Sequence, residues 1–263
     1  MKTPSIHITG GAGALGRSFA VSMREKMPQC SIELSDINAV ALEKVAADIA
    51  ATRYFAGDVF DCSSGVHNGV NTSNANVKIL NAAINLDALP DSQRLPLRGV
   101  QTASLLDHVR YMADRNHAGE VERTLLVVVN SISAIFGQQL EFIREVAKDK
   151  NWQYGIMKGE QSDLLREWRG QLHSAGVDLA VLYPGSFAST FTDEQEALKN
   201  ANAVGKKVRD YRGRKNLTQE RLFEPREITD AVAELVVVWN QTGQVPVDQQ
   251  EWILLNASDL RVK

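Results

Sequence analysis

Short apolar runs alternate with longer stretches of helical spacing along the whole chain, and this alternation limits the fold more than any other feature. The spacing predicts strands at 5–9, 31–34, 54–56, 77–81, 125–130, 177–183 and 252–255. It predicts helices from the first glycine-rich turn to about 27, then over 39–51, 98–116, 153–174 and 228–239. Several strands, LLVVVN at 125–130 above all, are apolar on both faces, which fits a parallel sheet covered by helices on each side. No repeat, linker or low-complexity segment divides the 263 residues. The expected fold is therefore α/β, a single doubly wound domain over 1–263 with about seven parallel strands. Residues 61–76 are rich in Ser, Asn and Gly and read as a loop or short helix. The polar stretch 190–225 reads as an insertion that covers a substrate.

Composition narrows the function. A formal net charge of −3 with 23% charged residues gives no basic surface for nucleic acid. The N-terminus has no apolar signal region, and no apolar run nears the roughly 18 residues of a membrane helix. A cytoplasmic protein without nucleic-acid or membrane partners is expected. Cys30 and Cys62 are too few for a disulfide framework. The histidines, at 7, 67, 108, 117 and 173, have no metal-ligand spacing.

The first turn carries Thr9-Gly10-Gly11-Ala12-Gly13-Ala14-Leu15-Gly16, between a strand and a helix. Gly11, Gly13 and Gly16 match G-x-G-x-x-G. Glycines there let backbone N–H groups of residues such as Ala14 and Leu15 approach a pyrophosphate at the helix N-terminus, as in Rossmann-type domains. Asp36 lies 20 residues beyond Gly16, after the second strand, where a carboxylate accepts hydrogen bonds from adenosine ribose hydroxyls. Asp36 would repel a 2′-phosphate, and Ser35-Asp36-Ile37-Asn38 holds no Arg or Lys to offset it. NAD is thus favoured over NADP. The plainer role for Asp36 is the N-cap of the next helix, which is compatible with ribose binding.

Tyr154 and Lys158 stand four residues apart, on one face of the helix expected over 153–174. A second match, Tyr211 to Lys215, contains Gly213, has no apolar face and reads as coincidence. The strand before the Tyr154 helix ends near Ser131 and Ser133. Reaction centres of open parallel sheets lie at such carboxyl ends.

Together these segments resemble the short-chain dehydrogenases/reductases over nearly the whole chain. The resemblance rests on TGGAGALG at 9–16, Asp36, Gly57-Asp58-Val59, Asn81-Ala82-Ala83, Asn130-Ser131-Ile132-Ser133, Tyr154-x-x-x-Lys158 and Tyr183-Pro184-Gly185. It implies NAD(P)-dependent hydride transfer with Ser133, Tyr154 and Lys158 as the catalytic set. The implied cofactor contacts are Gly10, Gly11, Gly13, Ala14, Leu15, Gly16, Asp36 and Ile37 at the adenosine and pyrophosphate. Asp58 and Val59 would hold the adenine, with Asn81, Ala82 and Ala83 near its ribose. Tyr154 and Lys158 would meet the nicotinamide ribose, and Pro184, Gly185, Phe187 and Ser189 the nicotinamide carboxamide. The chemistry is coherent: a phenol with its reference pKa near 10 is a poor base at neutral pH, and an adjacent ammonium stabilises its phenolate. Tyr154 would then exchange a proton with the oxygen of an alcohol or ketone. The resemblance also implies that the helices at 98–116 and 153–174 pair between subunits, giving a homodimer or homotetramer.

The chain departs from that family in five ways. Its glycine spacing is commoner in the longer, epimerase-like branch. Leu80-Asn81-Ala82-Ala83 stands where the family has Asn-Asn-Ala-Gly. The alignment puts Pro96 where the family has an Asn supporting a proton relay. Ser131 and Ser133 would share a face if extended, and Ser133 is chosen because it matches the second serine of the family's run. The 21 residues from Ser133 to Tyr154 add a stretch, 138–151, expected to form a turn of helix beside the pocket. The cations Lys206, Lys207, Arg209, Arg212, Arg214 and Lys215 suit either an anionic small-molecule substrate or a solvated helix face. The leading expectation is an NAD-dependent oxidoreductase on a secondary alcohol or ketone. The alternatives are an NAD-retaining epimerase or dehydratase, and a catalytically silent dinucleotide-sensing regulator.

Overall fold

The computed structural model describes residues 3–58, 74–82, 90–117, 123–137, 153–187, 198–199, 202–203, 206 and 217–262. Seven parallel strands form one sheet in the order β3-β2-β1-β4-β5-β6-β7. They are β1 (Ser5–Thr9), β2 (Ser31–Asp36), β3 (Arg53–Ala56), β4 (Val77–Leu80), β5 (Thr124–Val129), β6 (Val177–Pro184) and β7 (Glu251–Leu254). The helices are α1 (Ala14–Lys26), α2 (Ala39–Asp48), α3 (Asp91–His117), α4 (Ile132–Gly137), α5 (Gln153–Ser174), α6 (Pro225–Thr242) and α7 (Val247–Gln250). Strand order reverses between β1 and β4, and a crevice opens at the carboxyl ends of strands around such a point.

The continuous apolar strands behave as their composition requires. Every residue of β5 and β6 is buried, because helices cover both faces. One core, holding Ile6, Ile8, Phe19, Leu42, Val232 and Trp239, joins the sheet to α1, α2 and α6. The other, with Val109, Leu126, Phe136, Leu165 and Leu179, joins it to α3, α4 and α5. The ends of α6 are written in sequence. Pro225 starts it, Glu224 and Glu227 form a reciprocal capping box, and Gly243 at φ +69 stops it in the left-handed region.

Three boundaries differ from the sequence expectation in ways that affect the site. β2 runs on through Asp36, so that residue ends the strand rather than following it. β5 stops at Val129 and α4 begins at Ile132, so Ser131 and Ser133 are not in an extended segment. α3 begins seven residues earlier than expected and includes Pro96, which leaves the carbonyl four residues before it without its helical N–H partner. Among the described residues, no helix is long and apolar enough to cross a membrane.

One feature of the sheet interior has no counterpart in the apolar pattern. Glu33, His7 and Lys78 are lateral neighbours on β2, β1 and β4, and all three are buried. Burial, aided by Lys78, pushes the His7 imidazole down to about 3, so it is neutral; its Nε2 pairs with Ser35 Oγ at 3.1 Å. Burial, with Arg115 adding and Glu33 opposing, pushes Lys78 down to about 7. Its Nζ lies 5.5 Å from the Tyr111 ring centroid. An unfolded lysine holds its proton to roughly 10.4. Between about pH 7 and 10 the unfolded chain therefore binds more protons at this position, and stability rises with pH across that window. Below it, Lys78 is protonated in both states and contributes no slope. In urea titrations at several pH values, the slope from Lys78 should approach about 1.4 kcal/mol per pH unit, and Lys78→Met should remove it. Parallel pH curves for the two proteins would contradict this account.

Candidate functional site

The glycine loop is built by close approaches. Thr9 Oγ1 accepts the N–H groups of Asn81 and Ala82 at 2.9 and 3.0 Å, stitching the end of β4 to the end of β1. Gly10 turns the chain at φ +67, and a Cβ there would lie 3.1 Å from Ala82 Cα. Gly11 N–H donates to Ser35 O, and Gly13 N–H to Gly10 O. A Cβ on Gly16 would fall 2.0 Å from the Gly10 carbonyl oxygen, so α1 can enter this close only as glycine. α1 starts at Ala14 behind Gly13, which offers no side-chain cap. The first N–H groups of the helix, at Ala14, Leu15 and Gly16, have no intrahelical acceptor by position and suit an anion.

Asp36 anchors the adjoining turn. Its Oδ2 accepts the Ala12 N–H at 3.0 Å and its Oδ1 the Asn38 N–H at 2.9 Å, and each oxygen retains a lone pair. The N-cap of α2 is Asn38, whose Oδ1 accepts from Ala41, so Asp36 does not cap that helix. Ile37, beside the carboxylate, is 72% exposed, an apolar surface suited to a flat ring. Gly57 N–H donates to Asp36 O, which brings half-buried Asp58 to the same edge.

The Tyr–Lys pair sits across the crevice. Asn130 directly follows β5 and its Nδ2 donates to the Lys158 carbonyl at 3.0 Å and to Ser162 Oγ at 2.8 Å, tying the strand to α5. Ser131 Oγ accepts the Ser133 N–H at 3.1 Å and so caps α4. That cap occupies Ser131 and places half-buried Ser133 in the first turn of the helix. Lys158 is buried, with its Nζ 5.8 Å from the Tyr154 ring centroid. Burial alone pushes its ammonium down to about 8, which leaves it mostly protonated at neutral pH. A small cavity of about 30 Å³ lies beside it, lined among others by Thr9, Ala82, Val129 and Gln161. It has room for about one water molecule.

The third part follows β6. Gly185 N–H donates to Leu254 O, and Phe187 forms a parallel bridge with Phe223. A Cβ at Gly185 would lie 2.2 Å from Gln219 Oε1, which explains a glycine directly after Pro184.

The sequence-derived residues Gly10, Gly11, Gly13, Ala14, Leu15, Gly16, Asp36, Ile37, Asp58, Asn81, Ala82, Ser133, Tyr154, Lys158, Pro184, Gly185 and Phe187 all lie at the carboxyl ends of the strands or the segments that follow. Val59, Ala83 and Ser189 lie outside the described residues, as do 138–151 and Tyr211. The alignment of Pro96 with a relay position is corrected. Pro96 is exposed near the start of α3, whereas α3 lines the Lys158 cavity through Gln101, Ser104, Leu105 and His108. Sequence reasoning misses these polar residues because helix spacing shows which positions turn inward only once the helix start is known, and it misses Gln219 because that residue lies in a polar stretch outside any helix.

No protein-family model matches the sequence, and neither does any curated protein. Solved structures do match across nearly the whole chain. A short-chain dehydrogenase from Sphingobium yanoikuyae in complex with NADPH is 16% identical, covers 95% of this chain and 87% of its own, and superposes with a TM-score of 0.62. The bulky-bulky ketone specific alcohol dehydrogenase from Comamonas testosteroni is 13% identical, with 96% and 86% covered and a TM-score of 0.62. The 3-ketoacyl-(acyl-carrier-protein) reductase from Brucella melitensis complexed with NADH is 15% identical, with 98% of both chains covered and a TM-score of 0.63. The chain has the fold of the short-chain dehydrogenases/reductases, and its sequence is divergent from theirs.

The loop geometry separates folding from cofactor access. Gly16→Ala must displace the Gly10 carbonyl and should cost about 1–3 kcal/mol of stability. Gly13 has φ −71 and ψ 162, and a Cβ there meets Gly10 O only at 3.4 Å. Gly13→Ala should change stability by no more than about 0.5 kcal/mol. Denaturant titration of both variants checks this, and equal losses would contradict the geometry.

Proposed function

We propose that the chain is an NAD-dependent oxidoreductase that interconverts a secondary alcohol and a ketone on a small-molecule substrate. The observation that carries the reading is the single cavity where Thr9 of the glycine loop, Ala82, Val129 and Lys158 converge, with Tyr154 beside Lys158. The glycine cradle and open helix N-terminus fit a dinucleotide pyrophosphate. Asp36 favours NAD, since its carboxylate binds ribose hydroxyls and repels a 2′-phosphate. When bound, the nicotinamide supplies or accepts the hydride.

The side chains then have distinct tasks. Tyr154, as the phenolate, takes the proton from the alcohol during oxidation, and as the phenol donates it to the ketone oxygen during reduction. Lys158 lowers the cost of the phenolate, and its burial strengthens that effect because little water screens it. Lys158 also holds the nicotinamide ribose, and the Ser133 hydroxyl orients the substrate oxygen. The cationic run at 206–215 would draw an anionic substrate toward the site. The helices α3 and α5 would pair between subunits of a homodimer or homotetramer; the groove between them combines Ala103, Leu106 and Leu164 with the Arg98–Glu160 ion pair. We place the protein in the cytoplasm.

Removing one oxygen tests the assignment. Once a screen of hydroxy and oxo compounds with NAD(H) supplies a substrate, Tyr154→Phe should lower turnover by at least about 10²–10⁴-fold. Folding and NADH binding should survive. Tyr211→Phe, at the other Tyr-x-x-x-Lys match, should leave turnover intact. Loss of turnover in Tyr211→Phe but not in Tyr154→Phe would place the chemistry elsewhere.

A further inference from the structure

We infer that Gln219 and Asn202 are positioning residues that set the backbone of Ser186 and Phe187 for the nicotinamide end of the cofactor. The inference rests on the NAD reading above and adds two residues from outside the motifs that suggested it.

β6 leaves the sheet at Pro184, and Gly185 makes the last hydrogen bond to β7, through Leu254 O. At the next residue, Ser186, the carbonyl accepts the Phe223 N–H at 3.2 Å, beside the parallel bridge of Phe187 to Phe223. Gln219 adds side-chain bonds to the same residue. Its Oε1 accepts the Ser186 N–H at 2.7 Å and its Nε2 donates to the Ser186 carbonyl at 2.7 Å. The same nitrogen donates to Arg221 O at 2.5 Å. One side-chain amide thus holds both the N–H and the carbonyl of Ser186, sharing the carbonyl with Phe223 N–H. The arrangement is then repeated one level out. Asn202 Oδ1 accepts the Gln219 N–H at 2.7 Å, and its Nδ2 donates to the Gln219 carbonyl at 2.8 Å. The two amides form a ladder from Asn202, in the stretch expected to cover the substrate, to Ser186.

Gln219 is 4% exposed. Burying a primary amide is costly unless each of its bonds is made, and here they are made in full. Closing a loop needs no such group, because a backbone or an apolar contact serves. The amide is also incompatible with any side chain at 185, since a Cβ there would meet its oxygen at 2.2 Å. The chain therefore combines a glycine and a buried glutamine to fix the two peptide groups on either side of the Ser186 Cα. The second of them carries the Phe187 N–H, and the NAD reading sets this backbone against the nicotinamide carboxamide.

Calorimetric titration of NADH and of ADP-ribose, which lacks the nicotinamide, tests the inference in the full chain. Gln219→Glu keeps the size and the acceptor for Ser186 N–H but loses both donations, and Asn202→Ala removes the outer rung. The expected result is ADP-ribose affinity within about twofold of wild type in both variants. NADH should weaken by about tenfold in Gln219→Glu, as lost hydrogen bonds of ordinary strength require, and by a smaller factor in Asn202→Ala. If the glutamate prevents folding, which circular dichroism reads, Asn202→Ala decides by the same split. Equal weakening of both ligands, or no change in either, would overturn the inference while leaving the NAD reading intact. Failure of the wild type to bind either ligand would overturn both.

Discussion

A side chain at position 16 would sit 2.0 Å from the Gly10 carbonyl oxygen, and the architecture of the crevice depends on that contact. It sets how near α1 approaches the end of β1, and so where the helix's open N–H groups stand. Thr9, one residue before the turn, then binds the β4 end through Asn81 and Ala82. Asp36 binds the far side of the loop through Ala12. β2, β1 and β4 are thus tied together at their carboxyl ends by side chains acting on backbone N–H groups. A Cβ at 16 would loosen all of these at once.

The second half of the crevice is fixed by buried and half-buried polar side chains. Asn130 fastens β5 to α5, Ser131 caps α4, and Lys158 lies beneath the Tyr154 ring. A buried ammonium is expensive, and burial has already moved Lys158 to about 8. Lys78, in the sheet interior, shows the same cost further along, at about 7. The two lysines differ in surroundings: one faces the crevice beside a phenol, the other lies beneath Tyr111 among β1, β2 and α3. Only the first stands beside the tyrosine to which the proposed function gives proton exchange.

The sequence reveals these features unevenly, for physical reasons. Strands such as β5 and β6 are apolar on both faces and show themselves without context. The glycine loop shows itself because its residues are chosen by backbone geometry. α6 carries its own start and stop in Glu224, Pro225, Glu227 and Gly243. The ends of β5 and α3 were misplaced because a tertiary contact decides them. Asn130 leaves the strand to reach Lys158, and α3 continues through a proline that usually disfavours a helix. Charged residues inside β1, β2 and β4 do not register in an apolar pattern at all. Gln219 was hidden for a related reason. It lies in a polar stretch, where a buried amide looks the same as a solvated one until its partners are known.

The central claim is that a dinucleotide spans the carboxyl edge of the sheet from Asp36 to Tyr154. A crystal structure of the protein with NADH tests it most directly. The account predicts adenosine ribose hydroxyls on the Asp36 carboxylate and pyrophosphate on the first turn of α1. It also predicts the nicotinamide ring beside Tyr154, with its carboxamide against the backbone at Ser186 and Phe187. A dinucleotide bound elsewhere, or with its nicotinamide directed away from Tyr154 and Lys158, would contradict it.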